Sequence, residues 1–137
     1  MHHANPCLQT APAMPISKHP TAFTIMKRYG SVIGLNPDKI EEYKQLHSSV
    51  WPEVLAMIHQ CHIRNYSIYL RQLDDGQHYL FSYFEYLGND FAADMARMAA
   101  DPATQRWWAV CIPCQRPCDN RSPDEWWASM EEVFHCD

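Results

Sequence analysis

No apolar run in this chain approaches the roughly 18 residues that a membrane span requires. Sustained heptads and the glycine period of collagen are missing too, so coiled coil and collagen are set aside. Basic residues are scarce: 11 Lys and Arg stand against 16 Asp and Glu, a net charge of −5 at pH 7. An acidic chain lacks the basic footprint of a nucleic-acid reader. Also absent are a phosphate-cradling Gly-x-x-x-x-Gly-Lys-Ser/Thr loop, a Gly-x-Gly-x-x-Gly turn, a nucleophile elbow and a His-Glu-x-x-His pair. Nucleotide, nicotinamide and zinc-hydrolase chemistry thereby lose support. Cofactor-free proton transfer survives.

What is present is an ordinary globular composition, 47% hydrophobic and 20% charged, in 137 residues, which suits one domain. The unusual figure is 12% aromatic, with five Trp and seven Tyr. Tyr and Trp fill cores, but their polar edges and flat faces also fit a small polar ligand. Residues 1–25 differ from the rest, with four of the ten prolines, a single Lys and no acidic residue. They have neither the basic start and apolar run of a secretory signal nor the arginines of a transit peptide. They read as a disordered leader or a translation start placed too early, followed by a single domain over 26–137. With no export signal, the six cysteines read as reduced thiols of a cytoplasmic protein. Cys111-Ile-Pro-Cys114-Gln-Arg-Pro-Cys118 contains half of a zinc site. No second pair or His follows at zinc-finger spacing, so no metal is expected.

The local signals alternate. Residues 27–35 read as a strand. Asn36-Pro37-Asp38 opens a helix with Asn36 as its cap, and apolar positions from Ile40 to Ile58 carry that helix to about Gln60. Pro52 inside the pattern predicts a kink. Tyr66–Leu70 and Tyr79–Tyr86 flank an Asp-Gly turn and read as a hairpin. A second helix covers Phe91–Ala100, Asp101-Pro102 opens a short one through Trp108, and Glu131–Cys136 is the expected final strand. The order β-α-β-β-α-β is ferredoxin-like, an α+β arrangement. Both alternations of the hairpin strands are apolar or aromatic. One sheet face is left for a ligand or a partner, which predicts a homodimer.

His47 falls near the middle of the inward stripe of Ile40, Tyr43, Val50, Val54 and Ile58. An inward imidazole is either a satisfied core histidine, the commoner case, or a functional acid/base. Tyr43 one turn before and Trp51 one turn after give a phenol, an imidazole and an indole on one ridge, although both aromatics read equally as core. Trp107-Trp108 suits stacking on a sugar ring or sealing a helix against the sheet. Trp126-Trp127 suits either of these or a dimer seam. Tyr66 bonds a ligand hydroxyl or caps a sheet edge. Glu85 and Glu131-Glu132 show no paired acid/base geometry.

The blocks Asn36-Pro37-Asp38, Glu42-Tyr43, His47, Trp51-Pro52-Glu53, Asn65-Tyr66-x-Ile68-Tyr69-Leu70, Gln105-Arg106-Trp107-Trp108 and Glu132-Val133-Phe134 together resemble the L-rhamnose mutarotase family over about residues 26–136. The resemblance implies a dimeric α+β barrel that interconverts the α and β anomers of a 6-deoxy-L-sugar without a cofactor. It implies His47 as the catalytic proton donor and Tyr43, Tyr66, Trp107 and Trp108 as sugar contacts. Asp74-Asp75-Gly76-Gln77 and the Cys111–Cys118 stretch look more like a branch for which L-fucose is the proposed substrate. L-Rhamnose is the first choice because the family carries its name, and those two stretches make L-fucose the second. Two other readings stand beside this one: a non-catalytic sugar-binding module, and another dimeric α+β barrel enzyme such as a small monooxygenase.

Overall fold

The computed structural model describes residues 25–137, so the leader expected over 1–25 lies almost wholly outside the described residues. In chain order the elements are β1 (Lys27–Leu35), a 3-10 turn, α1 (Ile40–Ser48), α2 (Pro52–Gln60), β2 (Ile63–Gln72), β3 (His78–Tyr86), α3 (Phe91–Ala100), α4 (Pro102–Cys111), a second 3-10 turn, β4 (Gln115–Arg116) and β5 (Ala128–Met130). The sheet runs β2-β3-β1-β4, with β5 also on β1, and every pairing is antiparallel. β4 lies against Gly34 and Leu35, and β5 against Gly30–Val32, so one divided strand covers the free edge of β1. This is the expected ferredoxin-like α+β order with each helix split in two.

Three local expectations are corrected. The helix over 36–60 is two helices. Pro52 offers no N–H and drives Trp51 to extended backbone, ψ 135°. Pro52 then starts α2, whose first bonds run from the Val54 and Leu55 N–H groups to the Trp51 carbonyl at 3.0 and 3.1 Å. Asn36 does not cap with its side chain; its amide donates to the Pro113 carbonyl at 3.3 Å. The final strand is Ala128–Met130, not Glu131–Cys136. The register pairing Gly30 with Met130 sets Val133 opposite Lys27, where β1 begins, so the residues after it have no strand to join.

Other local devices match. The Asp90 carboxylate accepts from the Ala93 N–H at 3.1 Å, and that of Asp101 from Thr104 N–H and Oγ1 at 2.9 and 2.8 Å, capping α3 and α4. Gly76 takes the left-handed φ of 78° that the hairpin turn demands.

Strand alternation divides the sheet's side chains. Ile33, Leu35 and Leu80 pack with Tyr43, Val54, Trp107, Cys111 and Cys114 in the main core. A smaller cluster joins Cys61, Ile63 and Met98 to Phe84 and Met95. The opposite alternation, in which Val32 and Tyr69 both pair with Phe81 and Gly30 pairs with Tyr83, is aromatic as well. Tyr69 there is 66% exposed.

Candidate active site

Between the helices and the core-facing side of the sheet lies a cavity of about 310 Å³. α1 supplies Tyr43 and His47. Four residues apart, they share a helix face, and their rings stack with centroids 4.1 Å apart and planes at 25°. α4 supplies Trp107 and Trp108. Trp107, 7% exposed, meets His47 edge-on at 5.2 Å and Trp51 at 5.2 Å. Trp108, about 100° further round the helix, is 37% exposed and forms outer wall.

Tyr66 arrives by a different device. The β2–β3 register slips between Arg64 and Ser67, a bulge in which Asn65 adopts a left-handed φ of 49°. The Asn65 amide donates to Glu85 Oε1 at 2.5 Å. Tyr66, mid-strand rather than at a strand start, meets Phe84 edge-on at 5.5 Å. Tyr43, His47, Tyr66, Trp107 and Trp108 thus all line this same cavity. Gln115 and Trp126 line it too. Gln115 had no signal in the sequence beyond its place between two cysteines, because only the pairing of β4 with β1 carries it to Tyr43.

Among the described residues, no Asp, Glu, Lys or Arg lines this cavity. Glu85 instead accepts from the Tyr83 hydroxyl at 2.9 Å, and Glu132 pairs with Arg28 at 3.1 Å. The walls are apolar, among them Ile68, Phe84 and Met95. An uncharged ligand with both apolar and hydroxyl faces suits such a lining.

A sequence profile of the L-rhamnose mutarotase family matches residues 28–136. The L-rhamnose mutarotases of Oceanobacillus iheyensis and Bacillus subtilis are each 33% identical over 112 residues, spanning 82% of this chain and 100% of theirs. The chain belongs to the L-rhamnose mutarotase family. Its members are isomerases that interconvert anomers. The crystal structure of L-rhamnose mutarotase from Formosa agariphila shares the fold, with a TM-score of 0.59 at 22% identity over 81% of this chain and 99% of that one.

The protonation states of this mutarotase-family cavity follow from burial and hydrogen bonding. His47 Nδ1 lies 2.9 Å from the Tyr43 carbonyl. A carbonyl only accepts, so Nδ1 carries the hydrogen and Nε2 is the nitrogen left for a ligand. Burial lowers the His47 pKa, and this hydrogen bond opposes the drop. Burial also raises the Tyr43 phenol well above its usual range, against the Gln115 hydrogen bond. Tyr66 is pushed up to about 12, chiefly by burial of its hydroxyl and then by the Cys111 thiol, although 43% of the residue's surface stays open. Both phenols therefore keep their protons at neutral pH.

The cysteine stretch is wall and core. Burial pushes the Cys111 thiol, on the cavity wall, up to about 12. Cys114 is fully buried in the main core, and Cys118 is half-buried. Among the described residues no group of three or more His, Cys, Asp or Glu is placed to hold a metal ion, and no helix is long and apolar enough to cross a membrane.

Proposed function

We propose that this chain is an aldose 1-epimerase that interconverts α- and β-L-rhamnose in the cavity, with His47 as the proton donor. The observation that carries the reading is an uncharged cavity in which one side chain, His47, is of a type that titrates near neutrality. A neutral 6-deoxysugar matches it: Ile68, Phe84 and Met95 meet the C6 methyl, Trp107 and Trp108 meet ring faces, and the Tyr43 and Tyr66 phenols donate to hydroxyls.

Ring opening needs a proton delivered to the ring oxygen as its bond to C1 breaks, and one removed from the anomeric hydroxyl, whose electrons form the aldehyde. His47 Nε2–H supplies the first. A water, Tyr43 or Tyr66 relays the second away. The aldehyde turns about C1–C2, the C5 hydroxyl attacks its other face, and its proton returns to Nε2 while O1 is reprotonated. The indoles hold the rest of the sugar so that only C1 moves. Breaking and remaking the bond between C1 and the ring oxygen are each coupled to proton transfer, and this acid/base chemistry calls for no metal or organic cofactor. The enzyme acts in the cytoplasm, and a second copy covers the aromatic sheet face to make a homodimer.

Proton NMR saturation transfer between the α and β anomeric signals tests this, with L-rhamnose, L-fucose and D-glucose in separate samples. Exchange accelerated for L-rhamnose, more weakly for L-fucose and not for D-glucose is the expected result. The reverse order of the two 6-deoxysugars would reassign the substrate, and no acceleration for any sugar would leave a sugar-binding module.

A further inference from the structure

Gln115 takes no part in the mechanism above, yet its side-chain amide is held in the cavity by a hydrogen bond from Trp126 and faces Tyr43. The Trp126 indole N–H donates to Gln115 Oε1 at 2.8 Å. An indole N–H can only donate, so this contact decides which end of the amide is oxygen. The Gln115 Nε2 hydrogens therefore face Tyr43, whose hydroxyl lies 3.5 Å away. That is the long end of a hydrogen bond, leaving the amide N–H groups open to a hydroxyl brought between them.

Both sides of this arrangement are fixed by backbone. β4 is docked by the Asn36 N–H on the Cys114 carbonyl at 2.9 Å and by the Asn36 amide on Pro113. It lies so close to β1 at Gly34 that a Cβ there would sit 2.5 Å from the Arg116 carbonyl oxygen. On the other side, the Arg121 guanidinium lies 5.7 Å from the centre of the Trp126 ring. Arg121 is itself held by the Cys118 and Glu125 carbonyls at 3.1 and 3.0 Å.

We infer that Gln115 is a sugar-binding and specificity-determining residue whose amide N–H donates to a pyranose hydroxyl, and that Trp126 is the positioning residue that orients it. The inference rests on the mutarotase reading and adds a hydroxyl donor of fixed position. L-Rhamnose and L-fucose differ in the configuration of ring hydroxyls, and a donor that cannot turn over discriminates between such isomers.

Saturation-transfer kinetics on the full chain with both sugars test this, using Gln115→Leu, Gln115→Glu and Trp126→Phe. Gln115→Leu removes the donor. Gln115→Glu keeps the shape and still accepts from the indole, but it presents an acceptor where the N–H was. Both raise KM for the preferred sugar about tenfold, the equivalent of one neutral hydrogen bond, with kcat within about threefold. Both also narrow the preference between the two sugars. Trp126→Phe shifts KM in the same direction by less, because the amide is then free to flip. Wild-type KM and sugar preference in Gln115→Glu and Gln115→Leu would overturn the inference while leaving wild-type turnover intact. Absent turnover in the wild type would instead overturn the mutarotase reading on which it rests.

Discussion

The Nδ1 atom of His47 donates to the main-chain carbonyl of Tyr43 one turn earlier in α1, at 2.9 Å. That bond fixes the ring's tautomer and leaves Nε2 as the nitrogen that exchanges protons with a ligand. With Nε2 as donor, the active free enzyme is the imidazolium form. Burial has lowered the His47 pKa below its usual 6.5, so activity is present below that lowered value and is lost as pH rises through it. The profile of kcat/KM against pH, corrected for uncatalysed exchange, checks the sign. A limb on which activity instead falls with acidification would make His47 the base.

The two adjacent indoles of α4 both line the cavity but differ in how much they contribute to stability. Trp107 is 7% exposed and sits in the main core, so Trp107→Ala destabilises the fold by about 3–5 kcal/mol. Trp108 is 37% exposed. Trp108→Ala changes stability by about 1 kcal/mol or less and weakens sugar binding about three- to tenfold. Urea unfolding and equilibrium titration with L-rhamnose, run on both variants, resolve the two effects.

The parts of this molecule legible from sequence were those set by neighbours along the chain. Asp101-Pro102 capped and started α4 as expected because a carboxylate reaches the N–H three residues on. The Asp-Gly hairpin followed from the left-handed backbone that Gly76 accepts. His47 and Tyr43 were legible because helical spacing puts them on one face. Asn36 has the same capping chemistry as Asp101, yet its amide is spent on Pro113, which lies 77 positions away; no local rule weighs that competition. Gln115 reaches Tyr43 across 72 positions and Tyr66 is turned by a bulge, so both depend on strand register that the sequence pattern leaves open.

Gly34 couples that register to the site. An added Cβ would meet the Arg116 carbonyl oxygen at 2.5 Å, and backbone does not swing aside as a side-chain tip would. Gly34→Ala therefore displaces β4, lowers stability by about 1–3 kcal/mol and raises KM through the loss of Gln115's placement. Thermal unfolding and saturation-transfer kinetics check both effects. Unchanged values in both would show that β4 yields without consequence.

The homodimer proposal makes the aromatic sheet face an interface. Tyr69, 66% exposed on that face, is the place to interrupt it with least damage to the core. Tyr69→Asp is expected to sediment as a monomer of about 16 kDa, with a wild-type circular dichroism spectrum, where the wild type sediments at twice that mass. A wild type that is monomeric at micromolar concentration would end this reading of the face.

Anomer exchange in the proposed reaction depends above all on His47 carrying the transferred proton. The direct test is anomer exchange of L-rhamnose catalysed by His47→Asn at saturating sugar, with the sugar's Kd measured on the same preparation. The prediction is a Kd within about threefold of wild type and exchange slowed at least about a hundredfold, the contribution of a positioned general acid. Exchange at the wild-type rate in His47→Asn would contradict it.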